Sequence, residues 1–334
     1  MPLEIIRNDI TKVSADAIVN TANPKVAIGA GVDSAIYDAA GKDLLLTERK
    51  KIGEMNPGDV AETPAFNLDA KYIIHTVGPA WIDGNHQEAE TVAKCYRKSL
   101  ELARDLECES IAFPLISAGT YGFPKDVALK VAISEISDFL FSNDMTVTMV
   151  VYDKESFVLS GKAFSDIQAF IEDEDVIPPL ASEKRRFFGN LPLEDYDVCV
   201  SEIAVADLAA APADLEDIVR KKDVTFQEYL FRIIDRKGLT DPVVYKKANM
   251  DRKHFSKIRN NVNYHPSKRT ALALAVALEL NLDETKDLLL KAGLALTRSS
   301  VFDLIIEYCI ENGVTDINEI NCILFEYDQP LLGA

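Results

Sequence analysis

The sequence lacks the features that mark membrane, secreted and metal-clustered proteins. Its 334 residues contain no apolar run of about 18 residues, so we expect no membrane span and no membrane partner. The N-terminus shows no charged segment followed by a long apolar stretch, which argues against a signal peptide. The five cysteines are scattered, odd in number and without CxxC spacing. They favour a reducing, cytoplasmic setting over a disulfide framework or a zinc cluster, and no metal or cofactor is predicted.

Positive charge is also scarce. The chain has 36 Lys and Arg residues against 54 Asp and Glu residues, a formal net charge of −18. This balance argues against a general affinity of the whole molecule for nucleic acid. Apolar residues make up 48% of the chain, which favours a globular protein, and the length is enough for about two domains.

The N-terminal half is organised around residues 15–41. A short apolar run there is typical of the end of a buried strand. A polar turn with Asn20 and Asn23 follows, and a small-residue loop at 29–31 leads past Asp33 into a helix. A strand, a glycine-containing loop and a helix leave free main-chain N–H groups at the helix start, where anions bind. The pattern therefore predicts a ligand-binding loop with a carboxylate at its edge.

A second unit of this kind begins with a buried strand at residues 111–116. In the loop that follows, Gly119 and Gly122 free the main chain to turn its N–H groups toward phosphate oxygens. Ser117 and Thr120 add hydroxyl donors, and two aromatic residues of the loop supply apolar walls. This loop predicts a second phosphate-binding segment.

These segments resemble the signatures of macrodomains, which are ADP-ribose-binding modules, and most closely those of the MacroD-type ADP-ribosyl hydrolases. The resemblance covers residues 1–172 and implies an α/β fold: a three-layer α/β/α macrodomain with a mixed central sheet. A helix at about 161–171 would close it. The matching blocks are residues 8–11, 15–33, 72–79 and 117–124.

The resemblance also implies roles for individual residues. Asp9 would accept a hydrogen bond from the adenine amino group, and Tyr152 would stack on the adenine. The N–H groups of Gly31 and Val32 would line the phosphate, and the loop from Ser117 would wrap the diphosphate. The residues implied to bind the ligand are Asp9, Ile10, Asn20, Ala22, Gly31, Val32, Ser117, Ala118, Gly119, Thr120, Tyr121, Gly122, Phe123 and Tyr152.

Two functions remain open for this half. If it is a hydrolase, the resemblance implies that Asp33 positions a water at the anomeric carbon of ADP-ribose esterified to an acidic side chain, while Asn23 holds the distal ribose. O-acetyl-ADP-ribose is a further ester substrate. The alternative is a non-catalytic reader of ADP-ribose or of an ADP-ribosylated protein. Ala30 favours the reader, because the hydrolases usually have glycine in this loop and a methyl group would crowd the water.

His75 lies within a predicted central strand at residues 72–79 that contains a run of β-branched residues. We interpret it as a hydrogen-bonded core histidine rather than a catalytic base.

The composition changes after the first domain. Residues 172–217 hold thirteen acidic residues against three basic ones, with several prolines. This composition predicts an acidic, partly ordered linker at 173–223.

From residue 224 to 334 the pattern predicts an all-α domain. Residues 224–297 resemble the Xre-type helix-turn-helix of Cro and the phage repressors, and further helices follow. Residues 241–270 carry eight Lys or Arg residues against two Asp. The resemblance implies that a recognition helix presents Arg252, Lys253, Ser256 and Lys257 to DNA.

The match has one departure that bears on DNA binding. Asp241 stands where the family has a glutamine that meets the DNA backbone, and a carboxylate there would repel phosphate. The helical domain therefore remains open to two interpretations, as a DNA-binding or a protein-binding domain. A further alternative joins the two halves, as a regulator in which the macrodomain senses an ADP-ribose ligand and the helical domain contacts DNA or protein.

Overall fold

The structure is a computed structural model that describes residues 3–152, Phe170 and residues 223–333. Nearly all of the acidic segment predicted to be a linker, 173–223, lies outside these residues. So does most of the helix predicted at 161–171. None of the described helices has the length and hydropathy that a bilayer crossing requires.

A six-stranded sheet forms the centre of the N-terminal part, in the order β1-β6-β5-β2-β4-β3. Among the described strands β3 alone runs antiparallel to its neighbour, so the sheet is mixed, as predicted. The carboxyl ends of the parallel strands therefore meet at one edge, which is where ligands bind in open α/β sheets. The strands are β1 (Leu3–Arg7), β2 (Ala17–Thr21), β3 (Val60–Pro64), β4 (Tyr72–Thr76), β5 (Ser110–Pro114) and β6 (Thr146–Val151).

Helices cover both faces of this sheet. One face packs on α1 (Val32–Ala40) and α2 (Lys42–Ile52), and the other on α3 (Glu88–Asp105) and α4 (Lys125–Ser142). The apolar residues of α3 recur at helical spacing and are buried, which places them on the sheet side. A short 3₁₀ turn, Ile10–Lys12, follows β1. The three-layer α/β/α architecture is confirmed.

Residues 223–333 fold into helices around a core of their own, so the predicted all-α region is also confirmed. A capping box of Thr225 and Glu228 begins α5, and Gly238, with φ of 64°, ends it. The helices are α5 (Phe226–Lys237), α6 (Asp241–Lys247), α7 (Arg252–Arg259), α8 (Lys268–Ala277), α9 (Leu282–Lys291), α10 (Val301–Glu311) and α11 (Ile317–Glu326).

The helical region packs directly on the sheet domain through α11. Cys322 and Phe325 belong to the apolar core that covers the β1 side of the sheet. Arg7, the last residue of β1, pairs with Asp328 at 2.7 Å. Asn318 donates a hydrogen bond of 2.8 Å to Ser137 of α4. The edge strand β1 is thus covered by helical residues rather than left open for pairing with another strand.

Candidate functional site

A cavity of about 590 Å³ opens at the carboxyl ends of the parallel strands. Both glycine-containing loops contribute to it. The segment after β1 and Tyr152, which directly follows β6, complete its wall. The lining residues are Asn8, Asp9, Ile10, Thr21, Asn23, Gly29, Ala30, Gly31, Val32, Asp33, Ala35, Gly78, Pro114, Leu115, Ser117, Gly119, Thr120, Tyr121, Val150 and Tyr152.

Asp33 lies in the first turn of α1 and is only 2% exposed. Its Oδ1 accepts a hydrogen bond of 2.6 Å from Asn20 Nδ2, and its Oδ2 accepts one of 2.5 Å from the main-chain N–H of Gly29. A Cβ at position 29 would lie 2.9 Å from Oδ2, so this approach requires glycine. The loop geometry therefore fixes the orientation of the carboxylate.

Burial raises the pKa of Asp33, while the hydrogen bonds from Asn20 and Gly29 and the nearby charge of Arg49 oppose the rise. A carboxylate with a raised pKa is a stronger base when ionised, which suits it to polarise a water molecule. The same site raises the pKa of Tyr37 to about 12, chiefly through burial and then through the charge of Asp33.

Arg49 of α2 is a buried cation, 1% exposed. Its guanidinium donates to the main-chain carbonyl of Asn23 at 3.3 Å and to the carbonyl of Gly53. It therefore ties the turn that carries Asn23 to the end of α2. Neither α2 nor the role of Arg49 was predicted from the sequence, because residues 47–51 form a polar run that is typical of a solvent-facing helix surface.

His75 is completely buried between two polar side chains. Its Nδ1 lies 3.1 Å from Asn20 Nδ2, and its Nε2 lies 3.0 Å from Thr63 Oγ1. Burial, reinforced by Arg49, lowers the pKa of His75 to about 3. The imidazole is therefore neutral and hydrogen-bonded within the core, in agreement with its interpretation from the sequence.

Asp9 and Tyr152 lie in the wall formed by β1 and β6. Asp9 Oδ1 accepts hydrogen bonds from the N–H and the hydroxyl of Thr11 at 3.0 and 2.7 Å, and these bonds lower the pKa of Asp9. Its carboxylate is thus held as an ionised acceptor. The ring of Tyr152 is 74% exposed, so one of its faces is available to a flat ligand group.

Five of the residues predicted to bind the ligand do not line the cavity. Asn20 lies behind Asp33 and is fully buried, and Phe123 is 1% exposed and packs edge-on to Trp81 with ring centroids 4.9 Å apart. Within this loop Tyr121 lines the cavity, whereas Phe123 is buried in the core of the sheet domain. The five residues are Asn20, Ala22, Ala118, Gly122 and Phe123.

Several lining residues were not predicted, and Gly78 is the most informative. A Cβ at Gly78 would lie 2.0 Å from Ser117 Oγ, so glycine lets the loop after β4 pack on the loop after β5. Ser117 itself adopts a left-handed φ of 63°, which is uncommon for a residue with a side chain. The sequence signal for Gly78 is the Gly-Pro pair that ends strand β4.

In the helical region, α7 exposes the four residues that the sequence predicts to face DNA, namely Arg252, Lys253, Ser256 and Lys257. Other basic residues nearby are engaged: Lys247 pairs with Glu279 at 2.7 Å, and Lys268 pairs with Asp303 at 2.5 Å. Asp241 forms an ion pair with Arg259. Its negative charge is therefore partly neutralised within the protein.

The N-terminal half of the chain is similar to known proteins. The family model described as Macro domain matches residues 19–132. A macro domain-containing protein of Methanosarcina mazei is 48% identical over 167 residues, which are 49% of this chain and 89% of that protein. A Salmonella gallinarum protein named O-acetyl-ADP-ribose deacetylase is 46% identical over 159 residues, covering 46% of this chain and 89% of its own.

Among solved structures, an Oceanobacillus iheyensis macrodomain with ADP is 37% identical, with a TM-score of 0.44, over 46% of this chain and 85% of that one. The matched segments of the Methanosarcina mazei and Salmonella gallinarum relatives cover 89% of their own lengths, at identities of 48% and 46%. The chain belongs to the macro domain family.

Proposed function

We propose that the cavity binds ADP-ribose and that the protein hydrolyses esters of it, with Asp33 directing the water. The observation that carries this proposal is the state of Asp33: a buried carboxylate at the cavity wall, held at both oxygens, with a raised pKa. The hydrogen bonds at both oxygens fix the carboxylate, and its raised pKa suits it to accept a proton from water. The name of the Salmonella gallinarum relative supports the same reaction class.

The lining supplies groups for each part of ADP-ribose. Asp9 and Tyr152 offer an ionised acceptor and an exposed ring for the adenine. Gly119 and Thr120 offer exposed main chain and a hydroxyl for the diphosphate. Asn23 lines the cavity near the loop that holds Asp33, where the distal ribose would lie.

Two esters fit this site, and different bonds break in them. In an ester between ADP-ribose and an acidic side chain, water adds to C1 of the distal ribose, and the carboxylate leaves with the electrons of the C1–O bond. In O-acetyl-ADP-ribose, water adds to the acetyl carbonyl carbon, and the ribose oxygen leaves. In both cases Asp33 accepts the proton of the attacking water, which then goes to solvent in the first reaction and to the leaving ribose oxygen in the second. The products are ADP-ribose and a free acid.

The test compares the wild type with Asp33→Ala on an aspartate- or glutamate-modified protein and on O-acetyl-ADP-ribose. The wild type should release ADP-ribose or acetate, and the variant should lose release while its affinity for ADP-ribose, measured by calorimetry, stays within a few-fold. Reaction in ¹⁸O water identifies the bond, because the label enters ADP-ribose in the first case and acetate in the second. Equal turnover by the two proteins would remove Asp33 from the mechanism. Binding without any release by the wild type would leave a reader of ADP-ribose.

A second function concerns the helical region, and the exposed cations of α7 favour it. Arg252, Lys253 and Lys257 are exposed, and none of them forms an ion pair within the part of the chain that the structure describes. We propose that this face contacts DNA phosphate. A mobility shift at low salt that weakens steeply as salt rises would support this function.

The charge of α7 can be tested with a matched pair of variants. Replacing both Lys253 and Lys257 by Gln should remove the shift, whereas Lys247→Gln, at a lysine already paired with Glu279, should leave it close to that of the wild type. No shift at low salt would leave protein binding as the role of the region.

A further inference from the structure

Behind Asp33, a chain of buried side chains crosses three strands of the sheet. Asn20 on β2 and His75 on β4 stand opposite each other in the strand register. Asn20 Nδ2 contacts both Asp33 Oδ1 at 2.6 Å and His75 Nδ1 at 3.1 Å, and His75 Nε2 contacts Thr63 Oγ1 on β3 at 3.0 Å. All four side chains are at most 3% exposed. The chain therefore links the cavity to the far edge of the sheet without any contribution from solvent.

Chemistry fixes the direction of each hydrogen bond in this chain. An amide nitrogen only donates, so His75 Nδ1 must accept from Asn20. Because the imidazole is neutral, its single proton is then on Nε2, which donates to Thr63 Oγ1. The hydroxyl of Thr63 thus gives the Nε2–H of His75 an acceptor, and this tautomer matches the orientation of the Asn20 amide.

The opposite orientation of the amide would suit only a protonated Asp33. It would place Asn20 Oδ1, an acceptor, 2.6 Å from a carboxylate oxygen, which is also an acceptor. It would also require the proton of His75 on Nδ1, with the hydroxyl of Thr63 donating to Nε2. The amide of Asn20, the imidazole of His75 and the hydroxyl of Thr63 can each exchange donor and acceptor roles in this way. The ionised carboxylate and the Nε2–H tautomer therefore favour each other.

We propose that Thr63 and His75 are positioning residues for Asp33, since together they hold the Asn20 amide with its NH₂ group toward the carboxylate. The inference rests on the proposed function, which assigns the water to Asp33. The arrangement leaves Asn20 Oδ1 buried and without a hydrogen-bond partner within residues 3–152 and 223–333. Such a buried, unpaired acceptor is costly, which indicates that the amide is oriented for its NH₂ group.

Other ionisable groups act on the same chain from neighbouring helices. The charge of Arg49 on α2 favours the ionised form of Asp33 and the neutral form of His75. Burial, and then the charge of Asp33, raises the pKa of Tyr37 on α1. None of these residues contacts Thr63 in the hydrogen-bond network. A substitution at Thr63 therefore changes the donor and acceptor directions of these hydrogen bonds and leaves the surrounding charged groups in place.

The test uses Thr63→Val and Thr63→Ser, both small substitutions in a strand. Valine keeps the shape and removes the hydroxyl, which would leave the Nε2–H of His75 unpaired. Unpaired buried N–H groups are rarer than unpaired acceptors, so the proton of His75 should move to Nδ1 and the amide should reverse. Asp33 then loses a donor. We expect the acid limb of the kcat profile to move up by about one pH unit in the valine variant and to stay at its wild-type position in the serine variant.

Nuclear magnetic resonance of the full chain without substrate gives a readout that does not need turnover. The carboxyl carbon of Asp33 should titrate at higher pH in Thr63→Val. In the same variant Nδ1 of His75 should show the chemical shift of a protonated ring nitrogen and Nε2 that of an unprotonated one. Wild-type titration and tautomer in the valine variant would overturn the inference, as would an equal change in the serine variant. If the wild type shows no hydrolysis but these spectra change as expected, the proposed function fails and the positioning role stands.

Discussion

The side-chain amide of Asn249 satisfies both main-chain groups of Leu3. Asn249 Oδ1 accepts from the N–H of Leu3 at 2.7 Å, and Asn249 Nδ2 donates to its carbonyl at 2.9 Å. Asn249 is in the turn between α6 and α7, and Leu3 begins the edge strand β1. The amide thus pairs with the strand edge as another strand would. The turn of the predicted helix-turn-helix therefore contacts the macro domain in addition to α11.

Replacing Asn249 with glycine should lower the free energy of unfolding by about 2–4 kcal/mol, because two buried main-chain groups lose their partners. Glycine adopts the left-handed φ of 50° at this position without strain, so the loss does not come from a strained backbone. Urea unfolding measures it. Glu279→Gly is the matched control, since Glu279 also has a positive φ of 49° but forms a surface ion pair with Lys247. It should change stability by about 0.5 kcal/mol or less, and equal losses in the two variants would contradict the role of Asn249.

The α/β/α layers of the fold and the positions of the two glycine-containing loops were predicted from the sequence, and individual residues show the physical reason. The order of strand, small-residue loop and helix around Gly31 and Asp33 depends on local main-chain geometry, which residue types report directly. The side of the sheet to which Asn20 turns depends on strand register and on the helix packed above it. This is why the sequence did not predict that Asn20 lies buried behind Asp33. The burial of Arg49 depends on packing against a loop distant in sequence.

Acid should destabilise the wild-type protein through His75. The folded protein keeps the ring neutral down to a pH of about 3, whereas the unfolded chain takes up a proton near pH 6.5. Stability that is present above the unfolded pKa is therefore lost as the pH falls, at about 1.4 kcal/mol per pH unit between about pH 5.5 and 4. Urea unfolding of wild type and His75→Gln across this range should show a shallower fall in the variant by this amount.

The comparison contains its own control at higher pH. Between about pH 7.5 and 9 neither state of the wild type titrates His75, so the two stability curves should run parallel there with a constant offset. Curves that also stay parallel below pH 6 would show that His75 binds a proton equally in the folded and unfolded states.

Gly119 tests how closely a ligand approaches the loop after β5. A Cβ at this position would meet no atom within 4 Å, so Gly119→Ala should fold with an unchanged unfolding midpoint. Gly119 is exposed at the cavity wall, and its added methyl group would occupy space that the diphosphate needs. We expect calorimetry to show an affinity for ADP-ribose weaker by about tenfold or more, which is about 1.4 kcal/mol. Adenosine, which lacks the diphosphate, should bind wild type and variant alike; a similar loss for adenosine would place the methyl group against another part of the ligand.

Tyr152 tests the adenine end of the cavity, because its exposed ring contributes little to the folded core. Tyr152→Ala should leave the unfolding midpoint unchanged and weaken ADP-ribose binding by about 1–3 kcal/mol, the range found when a base loses an aromatic partner. Tyr152→Phe keeps the ring face and should bind within about twofold of wild type. Since stacking on the adenine is the same in the ground and transition states, ester hydrolysis by Tyr152→Ala should show a raised KM with kcat retained. Wild-type affinity in Tyr152→Ala would mean that the adenine lies elsewhere, and a lost kcat would mean that Tyr152 acts near the reacting ester.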